Sequence, residues 1–251
     1  MPLPDLQGRT VVITGASRGL GAGMAQEMAR LGLRLGLCAR RAPALPDGLA
    51  AADGVTQALD VRDAGAVHGF AAEVTRRLGR IDLWVNNAGV LDPIAFVRDL
   101  EPDALREHLE VNVLGVLHGS QAYVRHVRAH GQGGVLVNVS SGAAQKGYAA
   151  WGAYCASKAA VDRLSECVAL EEAEVGLRAY AVAPGVIDTA MQERIRSLTP
   201  EEFPMVEKFH QLKRDEAFNS PEYVARQLLS VAFDPSACPD EVVVRLPPER
   251  A

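Results

Sequence analysis

Aromatic residues and cysteine are both scarce in this sequence. Phe, Tyr and Trp together make up 5% of its 251 residues, whereas 48% are apolar. A core therefore has to be assembled mainly from Ala, Val and Leu. The cysteines, Cys38, Cys155, Cys167 and Cys238, form no C-x-x-C pair and no histidine cluster accompanies them. That argues against a metal site and against a disulfide framework, and it suits a reducing compartment. No run of apolar residues is long enough for a helical membrane span. Basic blocks are missing too. With 26 Lys and Arg against 31 Asp and Glu, the net charge is −5, and nucleic acid and anionic membrane are not expected partners. The stretch 1–7 lacks the basic-then-apolar pattern of a secretory leader, so a cytoplasmic location is expected.

What the chain does contain is an alternation of short apolar runs with amphipathic stretches. Val11-Val12-Ile13 reads as a buried strand. Ala22 to Leu31 has Met24, Met28 and Leu31 on one helical face and stops at Gly32. Further strands are predicted at 34–39, 55–59, 83–85, 135–139, 177–182 and 242–246. Helices are predicted over 63–78, over 101–130 with Pro102 in the first turn, and around Tyr154; 42–53 reads as loop. Strands and helices in this order call for an α/β fold: a doubly wound, mostly parallel sheet of about seven strands with helices on both faces. The length suits one domain spanning 1–251.

Thr14-Gly15-Ala16-Ser17-Arg18-Gly19-Leu20-Gly21 lies between the first strand and the first helix. Backbone N–H groups and a helix N-terminus placed there suit a pyrophosphate, and glycines let it approach. The spacing is G-x-x-x-G-x-G, and a tight turn without a ligand is the plain alternative. At the end of the second strand, where an acid would meet the ribose hydroxyls of NAD, stand Ala39, Arg40 and Arg41. Two guanidiniums there, with Arg18 in the turn, suit the extra phosphate of NADP(H). Asp60-Val61 ends the third strand; Asp60 either accepts from an adenine amino group or caps the next helix. Asn86-Asn87-Ala88-Gly89 ends the fourth, where amides can pin the sheet and small residues admit a ribose.

Tyr154 and Lys158 stand at i and i+4 and so share one helix face. An ammonium beside a phenol favours phenolate and lowers the Tyr pKa from its usual value of about 10. Such a Tyr exchanges a proton with a carbonyl or alcohol oxygen. Ser140-Ser141-Gly142 ends the fifth strand, and Pro184 to Thr189 follows the sixth. Asn112, inside an apolar run, is either a locally satisfied amide or a water-holding residue of a site.

Taken together these motifs resemble the short-chain dehydrogenase/reductase family along essentially the whole chain. The resemblance implies a Rossmann-type fold, with Gly15, Gly19 and Gly21 as the cofactor turn and Asn112, Ser141, Tyr154 and Lys158 as the catalytic four. Ser141 rather than Ser140 takes that part because its distance from Tyr154 is the family's usual one. Arg18 and Arg40 match both places where NADP(H)-preferring members carry a basic residue. The cofactor contacts implied are Gly15, Ser17, Arg18, Gly19, Leu20, Gly21, Arg40, Arg41, Asp60, Val61, Asn87, Ala88, Gly89, Tyr154, Lys158, Pro184, Gly185, Ile187 and Thr189. The activity implied is reversible hydride transfer between NADP(H) and a carbonyl or secondary alcohol, in a homodimer or homotetramer. Tyr154-Cys155-Ala156-Ser157-Lys158 and Ala169-Leu170-Glu171-Glu172 are also similar to sepiapterin reductases and related diketone reductases. For the substrate-anchoring acid that sepiapterin reductases carry in their tail, Asp240 and Glu241 are the candidates. A non-catalytic NADP(H) sensor and a dehydratase or epimerase remain alternatives on the same fold.

Substrate choice is expected to lie in 143–151 and 190–219. Ser141, Tyr148, Trp151 and Met191 are the predicted pocket residues, for an uncharged ketone, diketone or aromatic carbonyl. The segment 189–220 mixes Met191, Phe203, Met205, Phe209 and Phe218 with many charges. It suits a mobile lid or, equally, a helix pair packed on the core.

Overall fold

The computed structural model describes residues 3–249; Met1 and Pro2 of the amino-terminal stretch, and the last two residues of the expected domain, lie outside them. The seven strands are β1 (Thr10–Thr14), β2 (Arg34–Ala39), β3 (Gly54–Ala58), β4 (Leu83–Asn86), β5 (Gly134–Val139), β6 (Leu177–Ala183) and β7 (Val243–Arg245). They form one sheet in the order β3-β2-β1-β4-β5-β6-β7, and every pairing is parallel. The chain runs outward from β1 to β3, then returns to start again at β4. A crevice opens at such a reversal, outside the carboxyl ends of the central strands.

Strand alternation sorts the core into two layers. Val11 and Ile13 pack with α1 (Gly19–Arg30) and α8 (Pro221–Phe233) on one face. Val12 and Trp84 pack with α2 (Ala64–Leu78) and α4 (Gly115–His130) on the other, where α5 (Gly152–Glu171) also lies against β6. Trp84, Tyr123 and Phe70 are wholly enclosed, and burial of such side chains stabilises the fold by ~1.5–3 kcal/mol each. The two Asn residues at the end of β4, Asn86 and Asn87, pin the sheet as expected. Asn86 donates to Asn138 Oδ1 at 2.8 Å and accepts from Trp84 Nε1 at 2.8 Å. Asn87 donates to the Thr14 carbonyl at 2.9 Å, tying the end of β4 to the end of β1.

The long helix predicted over 101–130 forms from Pro102 to His130 without a gap, but it changes pitch partway along. α3 (Pro102–Leu109) starts after Glu101 with proline in its first turn, and a π-helical turn at Glu110–Leu114 joins it to α4. Asn112 sits within that turn. α8, which has no counterpart among the predicted helices, begins at Ser220, whose side chain accepts from Tyr223 N.

The segment 189–220 is a packed helix pair, α6 (Ala190–Arg196) and α7 (Val206–Arg214). Ile195, Leu198, Phe203, Val206 and Phe209 are buried against Leu91, Trp151 and Tyr154 in a third apolar cluster. The two feet of the segment are tied together. Asn219 N donates to Val186 O and its amide to Pro184 O, both at 2.8 Å. Asp188 pairs with Arg196 at 2.8 Å and with Lys213. Asp240 and Glu241 immediately precede β7 and therefore lie at the amino-terminal edge of the parallel sheet, away from the crevice. They do not anchor a ligand there; the charged residue that β7 brings to the crevice is Arg245.

Candidate active site

The crevice is a cleft of about 800 Å³. Its floor begins at the glycine turn. Gly15 has φ +69, a region costly for other residues, and a Cβ there would stand 2.7 Å from Ala88 Cα. A Cβ on Gly21 would meet Gly15 O at 2.5 Å and Asn87 Nδ2 at 2.6 Å. The turn is thus pressed onto Asn87-Ala88 and leaves its backbone open above. α1 begins at Gly19 with no side chain capping its N-terminus, so its first N–H groups are available to an anion.

Arg18, Arg40 and Arg41 are exposed and line the cleft. None of their side chains takes part in a hydrogen bond or ion pair among the described residues. Asp60 lines it too, but its carboxylate holds Arg62 through Nε at 3.0 Å and a second guanidine nitrogen at 2.7 Å. Arg62 keeps it below the usual carboxylate range. The helix cap falls to Asp63, which accepts from Ala66 N at 2.9 Å, so of the two readings for Asp60 the cap is excluded.

At the other end of the cleft, α5 presents Tyr154 and Lys158, and the end of β5 presents Ser141. Tyr154 is 9% exposed and Lys158 6%. Lys158 Nζ donates to Val139 O at 2.8 Å and lies 5.8 Å from the centre of the Tyr154 ring. Burial pulls Lys158 down to about 8, with Asp162 opposing. The expected acidification of Tyr154 is not seen. Burial raises its pKa, and the Ser141 hydroxyl pulls the other way. The reason is desolvation: a phenolate without a charge close enough to hold it is disfavoured in a dry site. Ser140, beside Ser141, donates to Asp162.

Apart from the tail acids Asp240 and Glu241, every predicted site residue lines the cleft except Asn112. Its amide is wholly engaged: Oδ1 accepts from Val90 N at 2.8 Å, and Nδ2 donates to Val90 O at 2.9 Å. Both ends of the side chain are thus hydrogen-bonded within the protein, as the locally satisfied reading expects. Tyr148, Trp151 and Met191 line the pocket end. The Trp151 ring stacks on Phe203 at 4.8 Å and meets Tyr154 edge-on at 5.4 Å. Ala143, Gln192, Ile195, Lys208 and Phe209 of this wall fall within the segments 143–151 and 190–219 expected to set substrate choice; sequence reasoning missed Leu91 and Arg245. Leu91 comes two residues after the Asn-Asn-Ala-Gly stretch and Arg245 ends a strand, so position alone could have flagged both.

A family model described as short chain dehydrogenase matches residues 9–199. The chain belongs to the short-chain dehydrogenase family. It is 29% identical over 247 residues to a benzil reductase ((S)-benzoin forming) of Bacillus cereus, covering 95% of this chain and 99% of that protein. Among solved structures, the KRED1-Pglu enzyme superposes with a TM-score of 0.81 at 29% identity, over 95% of this chain and 100% of that one. Carveol dehydrogenase of Mycobacterium avium, in complex with NAD, superposes with a TM-score of 0.80 at 25% identity, over 96% and 97%. As a short-chain dehydrogenase the protein is an oxidoreductase with a nicotinamide-cofactor fold acting on small molecules, and its Rossmann-like sheet is the family's. The site fits such a cofactor: at Gly89 a Cβ would lie 3.3 Å from Asn112 Oδ1 and 3.9 Å from Lys158 Nζ, so the bare backbone leaves room there. Among the described residues no helix is long and apolar enough to cross a membrane, and no group of metal-ligating side chains forms.

Proposed function

We propose that this protein is an NADP(H)-dependent carbonyl reductase. The observation that carries the reading is the convergence of Tyr154, Lys158 and Ser141 in one cleft with an uncapped, glycine-lined helix start. The glycine turn, Ser17 and Leu20 would hold the pyrophosphate end; Asn87, Ala88, Gly89, Tyr154 and Lys158 the ribose; Pro184, Gly185, Ile187 and Thr189 the nicotinamide side. Bound there, the reduced cofactor supplies the hydride. Tyr154 gives its proton to the substrate oxygen, and Ser141 donates a hydrogen bond to that oxygen and holds it. Lys158, drawn down to about 8 yet still mostly protonated near neutral pH, returns a proton to Tyr154 and takes its replacement from solvent. Asn112 fixes the turn behind Lys158.

Arg18, Arg40 and Arg41 favour NADP(H) over NAD(H), because β2 ends at Ala39 and offers no acid to a ribose. The pocket wall of Leu91, Ala143, Trp151, Ile195 and Phe209 suits an aromatic ketone or diketone, as does the likeness to a benzil reductase. A cytoplasmic homodimer or homotetramer completes the reading; Ala156 and Ala159 leave a small, exposed stripe on α5 compatible with close packing.

The test is NADPH oxidation with benzil and a carbonyl panel, repeated with NADH. Tyr154→Phe is expected to lower kcat about 10²–10⁴-fold with NADPH affinity nearly unchanged. Survival of turnover in that variant removes Tyr154 from the role. Net NADPH consumption also separates a reductase from an epimerase, which returns its hydride.

A further inference from the structure

His108 is a buried titratable group that the chemistry above does not use. It sits in the last turn of α3 and is 1% exposed. Its Nδ1 lies 2.8 Å from Asp92 O. A carbonyl only accepts, so Nδ1 carries the proton. Nε2 is then a bare lone pair, 3.0 Å from Asn112 Nδ2 and 2.9 Å from Ser157 Oγ. The Asn112 amide cannot be turned to offer its oxygen instead. Its two bonds to Val90 fix which end is the donor. Ser157 Oγ in turn lies 2.9 Å from Tyr154 O, to which it can donate. The imidazole meets the Tyr154 ring edge-on at 6.3 Å.

One neutral ring therefore ties together three segments: the cleft-lining stretch after β4, the π-helical turn of Asn112, and the turn of α5 that carries Tyr154 and Lys158. A second proton, on Nε2, would aim a donor at the Asn112 N–H group and set the two in competition for Ser157 Oγ, which lies 2.9 Å from Nε2 and 3.3 Å from Asn112 Nδ2. The charged and titratable groups facing the ring are Lys158 and Tyr154 from α5, and Asp92, whose carboxylate pairs with Arg194 at 3.4 Å. Burial disfavours the imidazolium, the Lys158 charge adds to this, and the Asp92 carbonyl and carboxylate oppose it.

We infer that His108 is a positioning residue: neutral, it clamps Asn112 and the Tyr154 turn in register, and gaining a proton at acid pH releases the clamp and lowers turnover. This rests on the reductase reading above. Its test is the pH profile of kcat for NADPH-dependent benzil reduction by wild type, His108→Gln and His108→Phe. Gln keeps an acceptor for Asn112 but has no proton to gain. His108→Gln is expected to turn over within about three-fold of wild type near neutral pH and to lack the wild-type acid limb below pH ~6. His108→Phe is expected to lose about 10–100-fold in kcat at every pH, with KM for NADPH within about two-fold. An unchanged acid limb in His108→Gln, which would point to a group such as Asp162, overturns the inference, as does wild-type kcat in His108→Phe. If the Phe variant does not fold, the Gln profile decides.

A second readout does not need turnover. Nitrogen NMR of the imidazoles, with the His108 signals assigned by their loss in His108→Gln, should show a neutral ring protonated on Nδ1 at neutral pH. An Nε2-protonated or charged ring overturns the clamp even if benzil is reduced normally. If no carbonyl is turned over at all, the reductase reading fails, and the effect on turnover fails with it, whatever the NMR shows.

Discussion

Lys158 carries the clearest pH signature of any single residue. Its folded pKa of about 8 lies below the ordinary 10.5 of a lysine. A depressed base binds fewer protons in the folded state than in the unfolded one between those two values. Stability of the cofactor-free protein from this group therefore rises with pH through that window, and is flat below it. Cys38, pushed up to about 12 by burial, acts in the opposite sense above its ordinary value. The comparison must therefore be a difference: wild type minus Lys158→Met, by denaturant unfolding from pH ~8 to ~10, should show a rise on the order of 1–3 kcal/mol. A flat difference would mean that Lys158 is solvated. The residue pairing Tyr154 with Lys158 was legible from their spacing, because i and i+4 fix a shared face whatever the fold. The direction of the Tyr154 pKa was not. It depends on how deeply the phenol is buried and on Lys158 being drawn to Val139 O, and neither is written in a spacing.

Elements meet in this fold through small residues. Gly119 of α4 stands so close to β4 that a Cβ would fall 2.0 Å from Asn86 Oδ1 and 2.9 Å from Trp84 Nε1. Gly119→Ala should improve helix propensity yet destabilise the protein by ~1–3 kcal/mol through overpacking. The shift in denaturation midpoint at constant m-value measures it. Strands such as β1 and β5 were readable from their β-branched runs, β2 from the alternation of Leu35, Leu37 and Ala39, and the parallel order from the alternation with helices. The π-helical turn was not, since Glu110 to Leu114 keeps a helical pattern and its extra residue shows only in hydrogen bonding. α8 has readable signals in Ser220, Pro221 and the apolar positions Val224, Ala225, Leu228 and Leu229. Between lid and packed pair for 189–220, composition could not choose. The packing seen in the structure rests on Trp151 and Phe203, distant in sequence, stacking on each other.

At the scale of the molecule, charge is divided along the cleft. The chain is acidic overall, yet Asp60, engaged by Arg62, is the one acid among the described cleft-lining residues, while Arg18, Arg40 and Arg41 gather where the adenosine end would lie. NADPH should therefore stabilise the whole protein more than NADH at equal concentration. At about 100 Kd the gain is ~2.7 kcal/mol, or roughly 5–10 °C in Tm for a chain of this size. Arg40→Asp should narrow the gap between the two cofactors by about 10–100-fold in affinity, the worth of a lost charge-assisted bond of ~1.5–3 kcal/mol. Equal shifts from both cofactors in the wild type would assign the arginines to solvent.

The knot of hydrogen bonds from Asn219 to Val186 and Pro184 has a practical meaning for engineering. It brings the start and finish of a thirty-odd-residue excursion to neighbouring points on the scaffold, so the closure entropy of whatever lies between is already fixed by the scaffold and grows only slowly with length. The helix pair between those points is in that sense a cassette. Grafting the corresponding stretch of a relative between those two points should exchange substrate range while the nucleotide half of the protein goes on working unaltered.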